Sequence, residues 1–105
     1  MTEQEFLSQQ SPIIKAKLTE HNINWAITAF PNSSTINISL EGSKNYYTLP
    51  DDNFKSPLAL MLFIGKWAAQ ENINPDFKKW WNEYLYESQQ NLKEIKEQIN
   101  NTEQK

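Results

Sequence analysis

The spacing of apolar residues along this chain changes from helical to alternating and back, and each change marks an element. Thr2 and Glu5 stand at capping-box spacing, in which hydroxyl and carboxylate satisfy each other's free backbone amides, so a helix is expected from Glu3. Its apolar stripe is Phe6, Leu7, Ile13, Ile14 and Leu18. Pro12 has no amide hydrogen to return to Ser8, which predicts a kinked or broken helix over 3–20, renewed at Ser11-Pro12 and stopped at Asn22.

From Asn22 to Leu49 the period is two. Ile23, Trp25, Ile27 and Ala29 alternate with Asn24, Ala26 and Thr28, and Pro31-Asn32-Ser33-Ser34 supplies turn chemistry. Thr35 to Leu40 alternates strictly, and Glu41-Gly42-Ser43 makes the next connection. Lys44 to Leu49 then sets Tyr47 and Leu49 on one face against Tyr46 and Thr48 on the other. Short loops between consecutive strands predict an antiparallel meander.

Pro50-Asp51-Asp52-Asn53 closes the sheet, and a helix is expected from Ser56-Pro57. Leu58, Leu60, Met61, Leu62, Phe63, Ile64 and Trp67 surround the wheel, as in a helix contacted from several sides. Gly65 costs about 1 kcal/mol in a helix interior and implies that another backbone approaches there. In Asn74-Pro75-Asp76 the cap, the first helical residue and an acid at the positive dipole end start the last helix. Phe77, Trp81, Tyr84, Leu85, Ser88, Leu92, Ile95 and Ile99 form its stripe, a heptad seam from Leu85 onward interrupted by Ser88. Beyond about Gln90 this helix is too long for so small a body to cover. The expected fold is α+β in the order α-β-β-β-α-α, with helices on one face of the sheet. A compact domain spans 1–90 and a polar helical extension spans 91–105.

Composition narrows the function classes. With 105 residues the chain holds one core. A formal charge of −3 neither tracks a phosphate backbone nor imitates one, so no nucleic-acid partner is expected. All ten basic residues are lysine, and arginine, valine and cysteine are absent. Guanidinium clamps, disulfides, thiolate nucleophiles and cysteine metal sites go with them. The acidic start Met1-Thr2-Glu3-Gln4-Glu5 is unlike a secretory leader, and no apolar run reaches the roughly 18 residues needed to span a bilayer. A cytoplasmic location without membrane partners is the expectation.

Candidate chemistry is sparse. His21 is the only histidine, so a transition metal would have to rest on carboxylates, and a helix C-terminus explains it as well. Asp51, Asp52 and Asn53 lack calcium-loop spacing and fit a turn. Glu83 and Glu87 lie one helical turn apart, suited in principle to acid–base work, but on an exposed face. Neither a nucleophile elbow, a P-loop nor a dinucleotide fingerprint can be drawn. No enzymatic activity, cofactor or metal is expected.

Surfaces remain. Trp80 lies 100° from Trp81 on the last helix, and Tyr86 is almost opposite Trp81; an exposed indole near a tyrosine marks interaction surfaces. The outward sheet face carries Asn37, Tyr46 and Thr48 among uncharged amides and hydroxyls, where charges usually guard against docking. Protein binding through Trp80, Tyr86, Tyr46, Asn37 and Thr48 is the leading expectation, as in regulators, immunity proteins and phage-encoded inhibitors. The alternative is a structural or assembly protein that homodimerises through Leu85, Leu92, Ile95 and Ile99. In order of elements alone the chain resembles some small anti-CRISPR proteins, a resemblance that implies an inhibitor of a larger partner and assigns no residue a role.

Overall fold

The Thr2 hydroxyl accepts a hydrogen bond from the Glu5 amide at 3.1 Å, and α1 (Glu3–Glu20) follows from this cap. The computed structural model describes the backbone of residues 2–29, 34–54 and 56–103, with side chains as far as Glu97. The turn expected at Pro31-Asn32-Ser33 and the Ile99 side chain lie outside these described residues. Three strands follow α1: β1 (Trp25–Ala29), β2 (Thr35–Leu40) and β3 (Tyr46–Pro50). A 3-10 turn (Asp51–Phe54), α2 (Pro57–Gln70) and α3 (Pro75–Glu103) complete the order. The fold is α+β with a β1-β2-β3 antiparallel meander.

Helix ends obey the local chemistry. Ser56 accepts from the Ala59 amide at 3.2 Å, and Asn74 Oδ1 accepts from the amides of Asp76 and Phe77 at 2.9 and 3.1 Å. α1 and α2 leave by the same device. Asn22 and Asn72 adopt left-handed φ of 57° and 52°. Around them Ile23 donates to the Leu18 carbonyl and Asn22 to Thr19, while Ile73 donates to Ala68 and Asn72 to Ala69. These are paired Schellman motifs, and the apolar residue after each asparagine turns back onto the core.

Of the kinked or broken helix expected at Pro12, the break does not occur: α1 runs on through the proline. It forfeits a single amide bond, and it does so on an exposed side where water can serve the freed carbonyl. The buried stripe is Phe6, Gln10, Ile14 and Leu18, so Ile13 is displaced from the core and stays 42% exposed.

The register Ile27↔Ile38↔Tyr47 and Ala29↔Ile36↔Leu49 puts these residues on the inner face, and Thr28↔Asn37↔Thr48 on the outer. α2 lies between this sheet and α3. On one side Trp67 meets Tyr47 edge-on at 4.8 Å, and on the other Gly65 faces Trp81. A Cβ at Gly65 would stand 2.3 Å from Trp81 Cζ3, so the close neighbour is an indole ring and not the expected backbone. Ile14, Leu18, Ile38, Ile64 and Phe77 are fully buried where these elements meet. The inner face is covered unevenly: Ile38 and Leu40 are buried while Ile27 and Tyr47 stay about 40% exposed.

Candidate protein-binding site

α1 and α3 run antiparallel. His21, at the C-terminus of α1, meets the Phe77 ring edge-on at 6.0 Å, Gln10 meets Tyr84, and Glu3 reaches Lys96 at 3.9 Å. The pairing therefore continues past Gln90, where the sequence places the end of the compact domain, as far as Lys96. The helices do not close on each other. Between them runs a groove of about 600 Å³, with Phe6, Gln9, Gln10 and Ile13 from α1. Trp80, Tyr84, Ser88 and Ile95 line it from α3, with Glu87, Asn91 and Glu94 along the α3 rim.

The floor is built from an aromatic stack and one buried polar pair. Trp80 lies nearly parallel to Tyr84, with ring centroids 4.8 Å apart, and leans on Phe77 at 5.6 Å. The Tyr84 hydroxyl donates to Gln10 Oε1 at 2.6 Å, and Gln10 Nε2 donates to the Phe6 carbonyl at 2.8 Å. Gln10 is thereby satisfied although buried. Burial pushes the Tyr84 hydroxyl pKa above its ordinary value, with Ser88 as a hydrogen-bonding neighbour drawing it partly back. At the Trp80 end Lys17 Nζ stands 5.8 Å from the indole centroid and pairs with Glu20 at 2.9 Å. That hydrogen bond, with the charge of the ammonium, holds the Glu20 carboxyl below its ordinary value.

The structure separates the residues that the sequence grouped. Trp80 is half-buried in the groove, packed as an aromatic floor and not as a free indole. Tyr86 is 66% exposed, and six residues on from Trp80 it is about 240° further round α3, on another surface. Tyr46, Asn37 and Thr48 share the outer sheet face, on the far side of α2 from the groove. There Tyr46 is 66% exposed, and Asn37 Oδ1 is buried without a hydrogen-bond partner. Of the heptad seam, Leu85 packs against the core, while Leu92 and Ile95 are half-buried and Ile95 lines the groove.

Sequence reasoning missed Gln10, Ile13, Tyr84 and Glu94 as a group. A signal existed for Gln10, which stands one turn from both Phe6 and Ile14 on the apolar stripe of α1. His21 and the acidic pair are far apart: His21 ends α1 before β1, whereas Asp51 donates its amide to Ser34 at the opposite end of the sheet. Among the described residues no three His, Asp or Glu side chains cluster to hold a metal. No described helix is long and apolar enough to cross a membrane. No protein-family model matches the chain, and neither a curated protein nor a solved structure shows significant similarity to it.

Proposed function

We propose that this chain is a small non-enzymatic protein-binding module, a regulator or inhibitor that works by occupying a partner's surface, and that the α1/α3 groove is its contact site. One observation carries the reading: Ile13, which is exposed, and the half-buried Trp80–Tyr84 stack form an apolar floor that the fold covers only in part, bordered by polar side chains. An aromatic anchor region inside a polar rim is the anatomy of a protein interface. Leu85 packs onto the core and Leu92 is half-buried, so dimerisation through α3 is the weaker reading.

The test is quantitative affinity capture from cytosolic extract of the source cells, in keeping with the expected cytoplasmic location. Wild type is compared with Ile13→Ser, Trp80→Ala, Tyr46→Ser and Tyr86→Ala, each checked for its native circular dichroism spectrum. A partner whose recovery falls at least about tenfold with Ile13→Ser and Trp80→Ala, but persists with the other two, supports the groove. Loss confined to Tyr46→Ser moves the contact to the sheet face. Equal recovery by all five proteins defeats the proposal.

A further inference from the structure

We infer that the occupant of the α1/α3 groove is a cationic amphipathic helix of a partner protein. The inference rests on the groove being the contact site and adds the chemistry of what fills it.

The shape argues for a helix. From Trp80 to Ile95 the groove follows fifteen residue steps of α3, about 22 Å at the helical rise, or roughly four turns of a third helix. Its lining recurs at helical spacing on both walls, with Phe6, Gln10 and Ile13 on α1 and Trp80, Tyr84, Asn91 and Ile95 on α3. Such ridges accept the ridges of another helix. An extended peptide would bring unpaired backbone amides and carbonyls to a floor whose buried polar side chain cannot serve them. The Gln10 amide, the polar group at that depth, already bonds Tyr84 and the Phe6 carbonyl. A helix brings its backbone already satisfied.

The rim decides the charge. Glu87 and Glu94 border the groove, and Glu83, one turn before Glu87, is exposed on the same ridge. Among the described residues none of the three has an ion-pair partner. The lysines at the two ends are already engaged, Lys17 with Glu20 and Lys96 with Glu3. Lys79 and Lys93 are also exposed on α3, but the groove lining itself holds Glu87 and Glu94 and no lysine, so the charge bordering the apolar floor is negative along one wall. Lysine or arginine on the flank of an incoming helix meets it, while acidic residues there are repelled.

Fluorescence anisotropy with three labelled 18-residue peptides tests this. One has a leucine stripe at helical spacing and lysine elsewhere, one replaces every lysine by glutamate, and one scrambles the first. The lysine helix is expected to bind at least about tenfold more tightly than the other two and to weaken with added salt. Glu87→Lys with Glu94→Lys should cut its affinity at least about tenfold. Asp51→Lys with Asp52→Lys changes net charge equally at the 3-10 turn and should cut it much less. Ile13→Ser, which removes floor without changing charge, should also weaken it severalfold.

If both stripe peptides bind equally and lose affinity with Ile13→Ser, the groove stands as a docking site and the cationic occupant is overturned. If the two charge-reversal pairs act alike, attraction is to net charge and the inference fails. Absence of binding by every peptide overturns the inference together with the groove. Concentration-dependent dimerisation of the wild type that Ile13→Ser abolishes assigns the groove to a second copy and overturns it as well.

Discussion

Tyr84 is the residue on which the groove floor depends. Its hydroxyl is the donor that satisfies Gln10 Oε1, so Tyr84→Phe leaves a buried acceptor unpaired and should cost about 1–2 kcal/mol in urea unfolding. Gln10→Leu on the Tyr84→Phe background removes the orphan and should recover a good part of that loss, a coupling that a double-mutant cycle measures. The hydroxyl also sets a pH dependence. Because its folded pKa is raised, the native state keeps the proton where the unfolded chain has released it. The contribution is whole below the ordinary tyrosine value of 10.0 and is lost as pH rises through the folded value. Unfolding midpoints of the wild type should fall more steeply above pH 10 than those of Tyr84→Phe; parallel curves would show that this hydroxyl is free to ionise. The sequence places Gln10 one turn from Phe6 and Ile14 but does not indicate its partner. Gln10 reads as an interruption of the α1 stripe and Tyr84 as one more aromatic, because a pairing across 74 positions leaves no local spacing to detect.

At the scale of elements, most boundaries were legible because they rest on near-neighbour chemistry. Caps at Thr2, Ser56 and Asn74 bond within three residues of themselves, and the asparagine exits need only a left-handed φ. The errors came from what elements do to one another. Alternation put Ile27 and Ala29 on the inner face correctly, but how far the helices extend over the sheet is not encoded in a strand's own period, and both remain exposed. At Pro12 the expected break does not occur because the lost bond lies on a wet side of α1, which depends on the side that packs. Gly65 gave the right signal with the wrong neighbour. Its lack of a Cβ is what lets α3 press the Trp81 indole onto α2, so Gly65→Ala should destabilise despite the roughly 1 kcal/mol gain in helix propensity. A net loss of about 1–3 kcal/mol by thermal or urea unfolding is expected, with a change in tryptophan emission as the indole is displaced. A variant as stable as wild type would mean that the two helices are not held at this distance.

Over the whole molecule, α3 is the longest element, and where its partner stops determines how much of it belongs to the domain. Its 29 residues span about 43 Å at the helical rise, against a longest molecular dimension of 52 Å. Because α1 runs antiparallel to α3, the Glu3–Lys96 contact falls at the first residue of α1, and α3 has no further α1 to pack on beyond it. Hydrophobic spacing continues through Ile99 and does not mark that limit, and the boundary expected near Gln90 rests on helix length alone. Truncation separates the two boundaries. A chain ending at Glu97 keeps the whole α1/α3 pairing and should melt within about 2 °C of the full chain. A chain ending at Gln90 loses the half-buried Leu92 and Ile95 together with the Lys96 partner of Glu3. Burial of that order contributes about 1–2 kcal/mol, or roughly 5–15 °C in melting temperature for a domain of this size. Shortening to Gln90 also removes Glu94 and one end of the groove, so peptide binding should fall with stability. Equal melting of the two truncated chains would return the boundary to residue 90 and make the last turns of the groove dispensable to the fold.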